Sequence, residues 1–280
     1  MAAAIWTGAI AFGLINIPVK LVSAVRSHDL SFRMLHKGKS DKDLSPVAFT
    51  RTSKKTGKEV PWSEVVKGYE YEKDRFVVLS EEDFEKAALA TTKTFEIRDF
   101  SPEEQVDPRY FEKPYYLIPQ KGGEKAYALL REAMRKTGTL GIGTITLRQK
   151  QYLASIKPVG EAIVLDLMRF ADEVLDSNEY RFPEGKEFHP KELMMAEQLI
   201  ENLSEDFNPE RYEDEYKANL EKIIAAKMKG KSIDLGEAAE PEMTGVIDLM
   251  EKLEESLRSA KKGGGKGATK PRARKKKSAA

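Results

Sequence analysis

From residue 15 the chain alternates apolar and polar positions. Ile15, Ile17, Val19 and Leu21 are separated by Asn16, Pro18 and Lys20, the pattern of a strand with one buried face. With Gly13 as a turn, "IWTGAIAFGLINIPVKL" (5–21) predicts an early strand pair. Leu30, Phe32 and Met34 alternate with Ser31 and Arg33, and Phe95 and Ile97 with Glu96 and Arg98; "FVVL" at 76–79 predicts a short buried strand. Ser80 and Asp83 offer a capping box to a short helix running through Leu89. After Gly122 and Gly123, "EKAYALLREAMRK" places Ala126, Leu129, Leu130, Ala133 and Met134 on one face of an amphipathic helix, which Thr137 and Gly138 end. Strands resume at "GIGTITLRQ", "YLASIKP" and "EAIVLDLM". Several linked strands with one packed helix predict a β-barrel or a strongly curved sheet.

After "FADEV" the period changes to helical. "PKELMMAEQLIENL" puts Leu193, Ala196, Leu199, Ile200 and Leu203 on one face, and "YEDEYKANLEKIIAAKMKG" does the same with Tyr212, Tyr216, Leu220, Ile223 and Ile224. An acidic connector, "IDLGEAAEPEMTG", leads to a last short helix carrying Val246, Leu249, Met250, Leu253 and Leu257 in register. For that helix, packing on the body and docking to a partner are both open readings. The final residues are too rich in Gly, Lys and Pro to build a core. No internal repeat is present.

At 280 residues the chain holds one or two domains. Its first ionisable side chain is Lys20, so no basic n-region precedes the early apolar run, and Thr7, Gly8, Gly13, Asn16 and Pro18 interrupt it too often for a membrane helix. The absence of cysteine excludes disulfides and thiolate chemistry, which suits a reducing cytosol. The expectation is a soluble protein with a cytoplasmic, nucleoid-associated location. The net charge of +1 conceals an asymmetry: the last twenty residues hold seven Lys, two Arg and no acid, while residues 1–260 carry 38 basic against 46 acidic residues. A +9 tail on a −8 body points to a polyanionic partner.

Catalytic chemistry finds little support. His28, His36 and His189 occur in no metal-ligand spacing. The two "GKS" runs, at 38–40 and 230–232, have Arg33 and Ala225 where a phosphate loop needs glycine. Gly138, Gly141 and Gly143 miss the dinucleotide fingerprint, since Thr146 stands at its last position, and read as a turn into a strand. Glu81 with Glu82, and Glu213 with Asp214, read as solvated helix surface. The expectation is a non-enzymatic protein without cofactor or metal.

What remains is clustered cationic charge. Residues 36–58 contain Lys37, Lys39, Lys42, Arg51, Lys54, Lys55 and Lys58 against Asp41 and Asp43. A solvated loop and a phosphate-tracking arm both fit this composition. Arg148, Lys150 and Lys157 form a smaller group after the first long helix.

Six blocks then occur in an order that resembles the bacterial Ku proteins, homodimeric DNA-end-binding factors of non-homologous end joining. They are "IWTGAIAFGLINIPVKL", "VVKGYEYEKDRFVVLSEED", "FEKPYYLIPQKGGEKAYALLREAM", "RFADEV", "ELMMAEQLIENL" and "YEDEYKANLEKIIAAKMKGK", and the resemblance as a whole extends over roughly residues 4–257. The resemblance implies a mixed β and α fold: a Ku-type β-barrel core with a DNA-encircling bridge, then a helical C-terminal region and a disordered basic tail. Its implied boundaries are 1–175 for the core, with the bridge at about 36–66, 176–232 for a helical arm, 233–260 for an acidic linker and short amphipathic helix, and 261–280 for the tail.

The implied DNA-binding residues are Lys20, Arg26, Arg33, Arg148 and Lys150 in the cradle and Lys37, Lys39, Arg51, Lys54, Lys55 and Lys58 in or beside the bridge. The tail would add Lys261, Lys262, Lys266, Lys270, Arg272, Arg274, Lys275, Lys276 and Lys277. The implied partners are double-stranded DNA ends, a second copy of the chain and the ATP-dependent DNA ligase LigD, with Val246, Leu249, Met250, Leu253 and Leu257 as candidate ligase-docking residues. No membrane is implied. Two departures stand out: Thr7 replaces a lysine found in many relatives, and "FTRTSKKTGKEV" lacks the cysteine pairs that some relatives carry in the bridge. The tail alone would also suit a nucleoid-type architectural protein.

Overall fold

A computed structural model of the chain describes residues 3–39, 43–87, 93–148, 150–184, 189–233 and 249–262. In chain order the elements are β1 Trp6–Phe12, β2 Ile15–Ser23, β3 Leu35–Lys37, β4 Leu44–Pro46, β5 Lys67–Glu72, β6 Arg75–Leu79, α1 Glu81–Ala87, β7 Thr94–Pro102, β8 Phe111–Pro119, α2 Glu124–Thr137, β9 Thr139–Leu147, β10 Lys150–Val159, β11 Ala162–Met168, α3 Pro190–Leu203, α4 Glu215–Met228 and α5 Leu249–Lys262. The chain divides into two compact units, Met1–Tyr180 and Arg181–Ala280.

Seven strands of the first unit close a barrel in the order β1-β2-β8-β11-β10-β9-β7. Every neighbouring pair is antiparallel except β1 and β7, whose parallel register runs from Ala9↔Thr94 to Ala11↔Glu96. The predicted period of two holds from Ile17: Ile17, Val19 and Leu21 point inward and are buried, meeting Ile10, Phe95, Leu117, Ile145, Ile156 and Leu165, whereas Ile15, predicted on the same face, is exposed where β2 begins after the turn. Closure brings backbones very close. A Cβ on Gly8 would fall 2.2 Å from the Lys93 carbonyl oxygen, and one on Gly143 would fall 1.9 Å from that of Glu96. The expected turn into a strand is found: Gly138 caps α2 at φ 64°, and Gly141 and Gly143 lie inside β9.

Helix α2 packs on the barrel through Tyr127, Leu130 and Met134, whereas Leu129 stays exposed. The buried face is thus rotated from the apolar stripe expected from sequence, because Tyr127 turns inward. Its hydroxyl donates to the Leu117 carbonyl at 2.7 Å and accepts from the Ile163 N–H at 2.5 Å, joining β8 to β11. Burial pushes the Tyr127 hydroxyl pKa up.

Between β2 and β7 the chain leaves the barrel for an insertion, residues 24–93. It holds two separate two-stranded sheets, β3–β4 and β5–β6, followed by α1. Here the sequence expectations need correcting. Residues 25–34 form no strand, the ladder starting only at Leu35, and "FVVL" lies in β6 with Phe76, Val77 and Val78 exposed instead of buried and Leu79 half-buried. The physical reason is that a lone pair of strands has no second layer to cover either face. Helix α1 begins as predicted, with the Ser80 N–H donating to Asp83 Oδ2 at 2.9 Å; Leu89 lies outside the described residues.

In the second unit α3 spans the predicted residues and lies beside α5. Met195 and Ala226 are its buried apolar side chains among the described residues. Leu193, Ile200, Leu203, Tyr212 and Tyr216, expected to be buried, are exposed. Leu253 and Leu257 of α5 are half-buried. No described helix is long and apolar enough to cross a membrane.

Candidate nucleic-acid interface

The topology gathers cations at one rim of the barrel. The insertion leaves from the end of β2 and returns at the start of β7, and the register Glu96↔Thr144 sets the end of β9 beside that start. The β9–β10 turn, carrying Arg148 and Lys150, therefore shares a rim with both roots of the insertion. Arg148 occupies the left-handed region at φ 49°, which turns the chain back within very few residues. Lys20 lies on the outer wall between Thr7 and Ile118, three residues or roughly 10 Å from the end of β2. Arg26 and Arg33 follow in the extended stretch that leaves the rim.

Further out, residues 51–60 form a hydrogen-bonded knuckle. The Val60 N–H donates to the Arg51 carbonyl at 2.7 Å, the Ser53 N–H to the Lys58 carbonyl at 2.8 Å, and the Gly57 N–H to the Ser53 carbonyl at 2.7 Å. Ser53 Oγ and Thr56 Oγ1 accept from the Thr56 and Lys58 N–H groups, each at 3.4 Å. Gly57 takes φ 70°, which glycine adopts without a Cβ penalty. The knuckle carries Lys54, Lys55 and Lys58 outward, all exposed.

Availability separates these cations from the rest. Lys20, Arg26, Arg33, Lys39, Arg51, Lys54, Lys55, Lys58, Arg148 and Lys150 are exposed, and among the described residues none has a carboxylate within 4.0 Å. Lys37 is exposed on β3. Lys157, grouped with Arg148 and Lys150 in the sequence, is separated from them: it pairs with Glu103 at 2.8 Å and lies over the Phe111 ring. Lys157 also faces Asp166, whose carboxyl is pushed up by burial, with Lys157 opposing that rise and Glu103 adding to it. Arg131 and Arg135 are likewise committed, to Glu132 and Glu161.

Aromatic rings at this surface escaped the sequence reading. Arg51 lies over Trp62, 4.4 Å from the ring centroid, and Lys150 over Tyr152 at 5.0 Å. The missed signals were a basic residue and an aromatic on opposite sides of a turn for Arg51 and Trp62, and the same pair two residues apart on one strand for Lys150 and Tyr152. Lys93, exposed at the root of the insertion, was also passed over. Lys261 and Lys262 end α5, and Leu249 and Met250 begin it. Val246, Lys266, Lys270, Arg272, Arg274, Lys275, Lys276 and Lys277 lie outside the described residues. No group of metal-ligating side chains occurs among the described residues.

Comparison with known proteins gives a consistent picture. A family model described as the Ku70/Ku80 beta-barrel domain matches residues 11–195. "Non-homologous end joining protein Ku" of Opitutus terrae is 45% identical over 255 residues, covering 90% of each chain. The protein of the same name from Coxiella burnetii is 40% identical over 264 residues, covering 92% of this chain and 95% of its own. That of Cupriavidus necator is 44% identical over 268 residues, covering 92% and 78%.

Proposed function

The chain belongs to the bacterial Ku family of non-homologous end joining proteins, and from that premise we propose that it binds double-stranded DNA ends as a homodimeric ring. The supporting observation is the insertion itself. It is rooted at both ends on one rim, carries exposed cations without ion-pair partners, and has no buried residue among the described positions 24–87. Tyr69, Phe76, Val77 and Val78 leave both faces of the β5–β6 hairpin apolar and open. A two-stranded hairpin is at best marginally stable in water, so a second copy is the cover that lets both insertions hold their shape. Two such insertions close a bridge over a duplex.

Phosphate and sugar contacts carry no direct base code, so binding is independent of sequence. If a dimer neutralises about 6 to 10 phosphates, affinity falls by roughly 10³ to 10⁵ between 50 and 200 mM salt. The protein protects or bridges the ends and recruits the ligase LigD through α5 and the residues before it. It performs no catalysis of its own.

One experiment tests the ring. The same DNA is offered as a linear fragment and as a relaxed closed circle, at moderate salt with competitor. Strong preference for the linear form, with complexes trapped once its ends are ligated, is expected. Equal binding would replace the ring by the second reading, an architectural protein acting through the +9 tail. A chain ending at Ala260 separates the two again, since the ring retains end binding without the tail.

A further inference from the structure

The knuckle of the insertion contains a pairing that the exposed lysines lack. Arg51 begins it and Trp62 follows it, and the Val60 N–H bond to the Arg51 carbonyl ties the two sides together. Pro61, at φ −65° and ψ 151°, directs the chain into the one-turn helix Trp62–Glu64, which the Val65 N–H closes on the Trp62 carbonyl at 3.1 Å. The backbone thus delivers the indole under the guanidinium, 4.4 Å from ring centroid to Cζ. Glu59 and Glu64 are close in sequence, yet neither pairs with Arg51. Trp62 is 69% exposed, so the ring is not there to fill a core.

We propose that Trp62 is a positioning residue for DNA binding: it holds the Arg51 guanidinium flat by one face and leaves the in-plane N–H fork open to a backbone phosphate. The proposal rests on the reading that the insertion runs along DNA. The chemistry explains why arginine stands here. A planar guanidinium stacks on a ring through its face while all five N–H donors stay in the plane, aimed away from the ring. An ammonium lacks that separation of stacking face and donor edge. Lys54, Lys55 and Lys58, with no ring beneath them, act as mobile point charges; Arg51 offers a fixed fork beside them.

The test is the salt dependence of binding to one linear duplex by the full chain and by R51A, W62L, the double variant and W62Y, with assembly of each checked by size. Loss of one phosphate contact lowers the slope of log K against log salt by about 0.9. R51A is expected to lose that increment, W62L to lose the same increment although no charge is removed, and the double variant to lose no more. W62Y keeps the wild-type slope because a ring face remains. A wild-type slope for W62L, or additive losses in the double variant, overturns the proposal, as does a wild-type slope for R51A. A purely structural role for Trp62 would change assembly or melting without moving the slope, and that result overturns it too.

Should W62L fail to assemble, R51K carries the test. It keeps the charge and removes the planar group, so affinity is expected to fall roughly fivefold or more; affinity within twofold of wild type overturns the proposal. Failure of the parent reading is distinct, since the wild-type chain would then bind circles and linear DNA alike.

Discussion

The barrel stretches 1–23 and 94–168 have 48 apolar residues of 98 and the insertion 24–93 has 25 of 70, yet the barrel buries many of its apolar side chains and the insertion buries none among its described positions. Ile10, Val19, Leu21, Phe95, Ile156 and Leu165 are 0% exposed, whereas Trp62, Tyr69, Phe76 and Val78 are between 58% and 69% exposed. The barrel is completed by its own strands, each backbone edge paired around the closure. Among the described residues of the first unit, the insertion's apolar side chains have no such layer. The difference teaches that an apolar pattern need not be satisfied within one chain; on the proposed reading a second copy supplies the missing cover.

The sharpest way to break the comparison is to remove one apolar side chain from each region. Leu165→Ala, inside the barrel, is expected to lower the unfolding free energy by about 2–5 kcal/mol in a denaturant melt. Phe76→Ser, in the insertion, should leave the barrel's melt nearly unchanged while weakening self-association about tenfold or more, read by sedimentation over a dilution series. A barrel-sized loss of unfolding free energy from Phe76→Ser would show that the insertion folds with its own barrel after all.

Charge sharpens the contrast further. Reversing Lys54, Lys55 and Lys58 together to Glu is expected to cut the salt slope of DNA binding by about 2.7 or more, equally for every duplex sequence, with no change in thermal midpoint. Filter binding at several salt concentrations and a thermal melt check both halves of that statement.

The smallest expected effect lies in the barrel wall. Desolvation raises the folded-state pKa of Asp166, with Lys157 opposing and Glu103 assisting, so its carboxylate weakens the fold at neutral pH. The contribution of this group is therefore most favourable below its unfolded value, about 3.9, and is lost as pH rises through the raised folded value. Asp166→Asn should be more stable than the parent at pH 7, by under about 1 kcal/mol, with the advantage shrinking toward pH 4. Paired melts across that range would show a constant gap if the carboxyl were not responsible.

Much of the barrel was legible in the sequence because strand period and burial coincide there: 15–21 and the three strands between 139 and 168 alternate or run apolar as their positions in the wall require. The face of α2 was misjudged since a stripe counted in aliphatic residues passes over tyrosine, and Tyr127 is buried by virtue of two hydrogen bonds that only the folded register supplies. The insertion was legible as cationic and, in its strands, only at 76–79, for its pairs are three to six residues long and no covering layer occurs among the described residues. At the candidate interface, Arg148 and Lys150 were separated from Lys157 only by topology, which sets the first two at the rim and ties the third to Glu103. The stacking of Arg51 on Trp62 depends on the turn between them and has no periodic signature.

The parallel pairing of β1 with β7 also governs the order in which the protein can fold as it is made. Strand β1 is complete at Phe12, but its second neighbour begins at Thr94, on the far side of the whole insertion. At about 5–20 residues per second, the β2 edge of the β1–β2 hairpin stays open until β8 appears at Phe111, and its β1 edge waits on the order of ten seconds while the lysine-bearing insertion emerges. Barrel closure then has to overcome the entropy of a long loop, which makes it a late event and leaves the growing chain dependent on protection of that edge.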